Sequence, residues 1–187
     1  MKSRTKIAAR RRPSRRVAPL SLSMRIERLE KVVLWPTPSG APAPPPGQRF
    51  TKLDASGKPT TGTHTAVHDA KTGLTWSAEP LQSDKELYHA DALKACSSLE
   101  LLGKKDWRAP TIEELLSIVD YTRCDPAVDS DYFLGPYGWT WSSTVAKAPA
   151  GYAWHVDLYD GSSLRVGQTD HHHVRAVRSG QQLPIGI

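Results

Sequence analysis

The stretch Asp106-Trp107-Arg108-Ala109-Pro110-Thr111-Ile112-Glu113-Glu114-Leu115 constrains this chain most. Pro110 stops one element and Thr111 opens a helix. Thr111 and Glu114 have capping-box spacing, the hydroxyl accepting from the Glu114 N–H and the carboxylate reaching back to the Thr111 N–H. Ile112, Leu115, Leu116 and Val119 then fall on one face, and the helix is expected to reach about Tyr121. Trp107 ahead of the cap is expected to be a core anchor with a cation beside it.

The chain has 187 residues, enough for one ordinary domain with appendages. Its net charge of +6 is unevenly placed. Residues 1–31 hold eleven Lys/Arg and two Glu, or +9; the other 14 basic and 17 acidic residues leave −3. The chain thus reads as a mildly acidic domain carrying a basic arm. No apolar run approaches the roughly 20 residues of a membrane helix. No apolar stretch follows the basic N-terminus, so no secretory signal is expected and synthesis is expected to be cytoplasmic. Cys96 and Cys124 make no disulfide framework; reduced, buried thiols are expected, with mutual pairing as the alternative.

Five segments follow from composition. Residues 1–20 are a basic arm too poor in apolar surface to fold alone. Its Arg10, Arg11, Arg12, Arg15 and Arg16 suit contact with nucleic acid or an acidic protein surface, or simply a solvated tail. Residues 21–34 are expected to form a short amphipathic helix, with Ile26, Leu29 and Val33 as a seam for docking or trimerisation, or for packing on its own domain. Residues 35–47 are a Pro-rich, extended spacer. The compact domain covers 48–179, and 180–187 are a tail.

Within the domain, short strands are expected around Arg49–Thr51, Thr65–His68 and Leu74–Trp76, with Asp69–Gly73 as a turn. A helix is expected from Tyr88 to Leu102, with Leu93, Cys96, Leu99 and Leu102 as its seam and Gly103 as C-cap. Residues 122–137 read as irregular. Strands follow at Trp139–Thr144, Tyr152–Tyr159, Ser162–Gln168 and Val174–Arg178, with Asp160-Gly161 as a hairpin turn. The strict alternation of 152–159 puts Tyr152, Trp154, Val156 and Leu158 inward and Ala153, His155, Asp157 and Tyr159 outward. Trp76, Trp107, Trp141 and Trp154 are assigned to the core.

These motifs, in order, resemble the DUF1566 family, which includes the C-terminal domain of the Legionella collagen-like adhesin. The residues that carry the likeness are Arg49-Phe50, Asp69 with Thr72-Gly73-Leu74-Thr75-Trp76, the Ala92–Cys96 helix, Asp106–Thr111 with Glu114-Leu115, Trp141–Thr144, Tyr152–Trp154, Tyr159–Gly161 and Val174–Arg178. The resemblance implies an α+β, C-type-lectin-like fold of two helices on small antiparallel sheets. It also implies a binding module, often for glycans or surface ligands, often multimeric, and used elsewhere as the variable protein of diversity-generating retroelements. The family commonly carries a Cys where this chain has Ala176, and the resemblance implies its pairing with the Cys matching Cys96. That bridge cannot form here. A phage virion protein, folded in the cytosol and released by lysis, fits this loss better than an exported adhesin.

The expected ligand-binding set is His155, Asp157, Tyr159, Ser162, Arg165, Gln168, Asp170, His171, His172 and His173. Outward rings give contact area, and the polar groups give directional hydrogen bonds. None of His155, Asp157, Tyr159, Ser162, Arg165 or Asp170–His173 is Lys, Gln, Glu, Met or Trp, the types that adenine-directed diversification of Asn codons excludes. Three consecutive histidines on a strand point to alternate sides, so no metal site is expected. No nucleophile elbow, phosphate loop or His-Glu-x-x-His motif is present, and neither catalysis nor a cofactor is expected. The expected partners are a glycan or host-surface receptor for the domain, and capsid or tail proteins for residues 1–34. A structural decoration protein held by its basic arm is the alternative.

Overall fold

A computed structural model describes residues 48–179. The arm with its five arginines, the 21–34 helix, the 35–47 spacer and the tail lie outside the described residues. In chain order the elements are β1 (Phe50–Leu53), β2 (Ala66–Asp69), β3 (Leu74–Ser77), β4 (Leu87–Tyr88), α1 (His89–Ser97), α2 (Ile112–Ser117), β5 (Trp139–Val145), β6 (Tyr152–Asp157), β7 (Ser163–Gly167), β8 (His171–His172) and β9 (Val177–Ser179). The fold is α+β, with antiparallel sheets of order β1-β2-β3-β9, β4-β8 and β5-β6-β7. Among the described residues no helix is long and apolar enough to cross a membrane.

The β2–β3 turn is built by Asp69. Its carboxylate accepts from the Lys71 N–H at 2.9 Å and the Thr72 hydroxyl at 2.9 Å, while Gly73 takes a φ of +72°. Arg49 clamps the same carboxylate from β1's entrance, at 3.0 and 2.7 Å. Burial alone would push the Asp69 carboxyl up; these bonds outweigh it and hold it below its ordinary range.

The Asp106–Leu115 stretch docks on two strands at once. Arg178 on β9 grips Asp106 through two 2.9 Å bonds. Arg108 and Val177 exchange backbone bonds of 2.9 and 2.8 Å. Further on, Ser143 N–H donates to Pro110 O at 2.7 Å, and Ile112 N–H donates to the Thr144 hydroxyl at 3.0 Å. The capping box forms as expected, with Thr111 as N-cap and both reciprocal bonds made. Trp107 is buried, its indole N–H donating to Leu101 O at 3.1 Å. The cation over its ring is Arg178, 6.0 Å away; Arg108 instead pairs with Glu114 at 2.6 Å.

Both helices are shorter than the sequence suggests. α2 stops at Ser117, whose hydroxyl bonds back to Glu114 O at 2.6 Å and whose carbonyl is taken by Arg49 at 2.7 Å. α1 stops at Ser97 and buries His89, Ala92 and Cys96; of the expected seam only Cys96 is fully buried, and Leu93, Leu99 and Leu102 pack half-buried against the core. Residues 101–104 form a tight turn, Leu101 and Lys104 exchanging backbone bonds of 3.1 and 2.9 Å. Gly103, at φ +66°, serves that turn and not a helix cap.

Two apolar clusters make the core. One gathers Phe50, Val67, Trp76, Leu115, Ile118, Phe133, Val156, Leu158 and Val177. The other gathers Ala66, Leu87, Ala92, Cys96, Trp107, Trp141, Ala153, Val174 and Ala176. β6 feeds both, Val156 into the first and Ala153 into the second. That arrangement overturns the expected outward face of β6: His155 is buried at 4% exposure. Trp154 is only half-buried, and Tyr152 is exposed. Alternation marked the two faces of β6, but both faces are covered along much of its length, so it could not say which one was solvated.

Arg175 is wholly buried and ties the irregular 118–138 region to the end of β3. Its Nη1 donates to Ala78 O at 2.5 Å and its Nη2 to Leu134 O. Cys96 and Cys124 are both free thiols; Cys96 is buried, and Cys124 is exposed rather than buried. Cys96 Sγ lies 3.7 Å from Arg175 O, beside Ala176, so a thiol against backbone stands where the resemblance places a bridge.

Candidate functional site

The expected site residues divide between the two ends of the β6–β7 hairpin. β6 runs Tyr152–Asp157, roughly 17 Å at about 3.3 Å per residue.

At the turn end, Asp157 Oδ1 accepts from the Tyr159 N–H at 2.9 Å, and Asp160 Oδ1 accepts from the Ser162 N–H at 2.8 Å. These carboxylates are engaged in shaping the turn. Gly161 takes φ +83° and packs so closely that a Cβ would lie 2.9 Å from Val119 Cγ1. Tyr159 is half-exposed; its hydrogen bond to Asp125 holds the phenol above its ordinary range. Ser162 is exposed. Val119 and Tyr121, which lie against the turn, also line an open cleft of about 400 Å³ with Arg49, Asp120, Asp129 and Tyr132.

Arg165 lies midway, exposed, its guanidinium donating to Ala148 O at 2.6 Å.

At the other end the chain returns through Gln168 to β8. Gln168 O accepts from the His89 N–H at 3.2 Å, and its side chain donates to Tyr152 O at 3.4 Å. Asp170 and His171 are exposed. β8 pairs with β4 in the register Leu87↔His172 and Tyr88↔His171. The Tyr88 and His171 rings meet at 3.9 Å, with Tyr88 46% exposed.

Beneath this pair lies a nest of indoles and imidazoles. His155 stacks on Trp139, centroids 4.1 Å apart and planes 18° apart. His172 sits 4.6 Å from both His155 and Trp141. His89 packs edgewise on Trp141 and bonds Ser142 O at 2.9 Å. His173 is strapped to β5 by backbone bonds with Trp139 and Trp141 at 3.0 and 2.8 Å, and its Nε2 lies 4.0 Å from Glu86 Oε1. The buried nitrogens His155 Nδ1, His172 Nε2 and His173 Nδ1 have no hydrogen-bond partner among the described residues.

This setting favours neutral imidazoles. Burial, then the neighbouring His172, pulls His155 down to about 4. Burial lowers His172 and His173 as well, opposed by Glu86 in both cases and by Asp170 for His172. Among the described residues no three His, Cys, Asp or Glu side chains converge as a metal site. The three histidines diverge as strand alternation requires, His171 to solvent and His172 inward.

Of the expected set, Gln168, Asp170, His171, His172 and His173 come together. Asp157, Tyr159 and Ser162 form a separate group, and His155 is a buried support. Sequence reasoning missed Glu86 altogether and took Tyr88 only as a helix start. The apolar-aromatic pair Leu87-Tyr88 was the available signal, too short to show a period.

The family description "Lcl C-terminal domain" matches residues 65–178, more than half of the chain. It runs from β2 into β9 and includes both ends of the hairpin and the aromatic nest. No curated protein matches the chain. The chain belongs to the Lcl C-terminal domain family.

Proposed function

We propose that the domain is a non-enzymatic, C-type-lectin-like binding module that presents the Tyr88–His171 face to a glycan or host-surface ligand. The observation that carries this reading is the exposed ring pair at 3.9 Å, flanked by Gln168 and Asp170 and seated on packed indoles and imidazoles. Rings on a rigid base offer area to the C–H face of a sugar at little entropic cost, and adjacent amide and carboxylate groups accept or donate to hydroxyls. The lectin-like reading is supported by the two short helices, the three small sheets, the long irregular 118–138 region and the pairing of β9 with β3 in the sheet that begins with β1. A non-enzymatic role is supported by the commitment of Asp157 and Asp160 to their own turn.

The setting we infer is a phage or similar particle, with residues 1–34 holding the chain to capsid or tail proteins and the domain serving as the ligand-binding part. The +9 charge of residues 1–31 against −3 for the remainder supports that division. A decoration protein without a ligand is the second reading, favoured by the same charge. Screening the full chain on glycan and host-envelope arrays separates the two. A ligand whose binding falls in Tyr88→Ala supports the module; no binding to any glycan or envelope preparation supports decoration.

A further inference from the structure

The nest under the binding face has a geometry that a neutral protein tolerates and an acidified one does not. His155 and His172 come from different strands, yet their centroids are 4.6 Å apart and both pack on indoles. β5 supplies Trp139 and Trp141, and β7 supplies Leu164 opposite His155; none of these carries charge. The titratable neighbours are His89 on α1, edgewise on Trp141, Glu86 ahead of β4, Tyr88 on it, Asp170 ahead of β8, His171 and His173 on either side of His172, and Arg175 beyond. Asp170 opposes the lowering of both His155 and His172, and Glu86 that of His172 and His173, but burial outweighs them at each. Two imidazolium ions at this spacing, against apolar rings, would meet like-charge repulsion and loss of hydration together.

The element most exposed to that cost is also the weakest. β8 has two residues and pairs with a two-residue β4. On one side the chain is fastened again at His173, through its two bonds to β5. Opening is therefore confined to residues 86–89, the His89 N–H being held by Gln168 O, and 168–172, which include the whole of the proposed binding face.

We propose that the His155–His172 contact is an acid-operated latch: protonation of either imidazole releases β8 from β4 and takes the Tyr88–His171 pair apart. The latch regulates the face named above and rests on that reading for its biological use, but not for its operation. The sign follows from linkage. Neutral burial stabilises the closed form fully above the ordinary histidine value of about 6.5, and that contribution is lost as pH falls toward the depressed folded values. Acid opens the face, and neutral pH closes it.

Hydrogen exchange followed by mass spectrometry on the full chain, corrected for intrinsic rates, tests this without any ligand. The expected result is faster exchange in residues 86–89 and 168–172 as pH falls from 7 to 4, about tenfold per pH unit once one proton is coupled. The β1-β2-β3-β9 sheet should stay protected, and return to pH 7 should restore the signal. His172→Phe, which keeps an aromatic ring on Trp141, should move the onset down by about a pH unit or more. His155→Gln gives an independent check where His172→Phe fails to fold. Exchange in these segments that ignores pH, that rises together with the whole domain, or that is unchanged in both variants overturns the latch. Opening without any ligand on arrays overturns only the binding reading.

Discussion

Arg175 Nη1 donates to the carbonyl oxygen of Ala78 at 2.5 Å from a position with no solvent exposure. The partners of this buried cation are carbonyls, the other being Leu134 O. Burial lowers its guanidinium to about 10, still charged at neutral pH. Arg175→Ala would leave two carbonyls short of a donor and open a large void. The expected cost is about 3–5 kcal/mol, by the logic of stripping one member from a buried polar network. Arg175→Met keeps most of the volume and should cost less. Urea unfolding of the two variants checks the order.

Thr111→Ala removes one half of the capping box and should cost about 1 kcal/mol in the same assay. Glu114→Gln should cost more, because Glu114 also holds Arg108 at 2.6 and 2.7 Å. That hydrogen-bonded pairing, aided by the Thr111 N–H, keeps the Glu114 carboxyl below its ordinary range. Its contribution is present above the ordinary carboxylate value and is lost as pH falls through the folded one. Acid unfolding of Glu114→Gln should therefore be less steep below about pH 4.5 than that of the parent.

The helix carrying this cap was legible because its signals are local: a Pro stop, a Thr-x-x-Glu box and an apolar stripe. The same holds for the Asp69–Gly73 turn and for Asp160-Gly161. Trp76, Trp107 and Trp141 followed from size and apolarity. β4 and β8 were not legible, since two-residue strands show no period and exist only through each other. His155 was misplaced because a strand buried on both faces still alternates. The early end of α1 was hidden as well: Leu99 and Leu102 continue the apolar spacing, but the chain turns at residues 101–104, where the Trp107 indole bonds Leu101 O.

The two thiols should behave as opposites. Burial raises Cys96 to about 12, while Cys124 is exposed. A maleimide at neutral pH should add one label to the native chain, at Cys124, and a second only after denaturation. Ala176→Cys places a thiol beside Cys96, where the backbone already approaches within 3.7 Å. Oxidation of that variant should cost two mass units and raise the unfolding midpoint.

Tyr88 and Asp157 mark the two ends of the β6–β7 hairpin region, and only one end is assigned the ligand. A Tyr159→Ala, Ser162→Ala variant alters the turn end, and a Tyr88→Ala, His171→Ala variant alters the other. Each double variant removes exposed side chains, so urea midpoints should stay close to the parent's. Equilibrium binding to the array-identified ligand then decides the central claim. The account predicts at least about a tenfold loss for Tyr88→Ala, His171→Ala, on the scale of removing a central aromatic contact, with Tyr159→Ala, Ser162→Ala near the parent. Unchanged binding in the first variant, with the loss in the second, would contradict it.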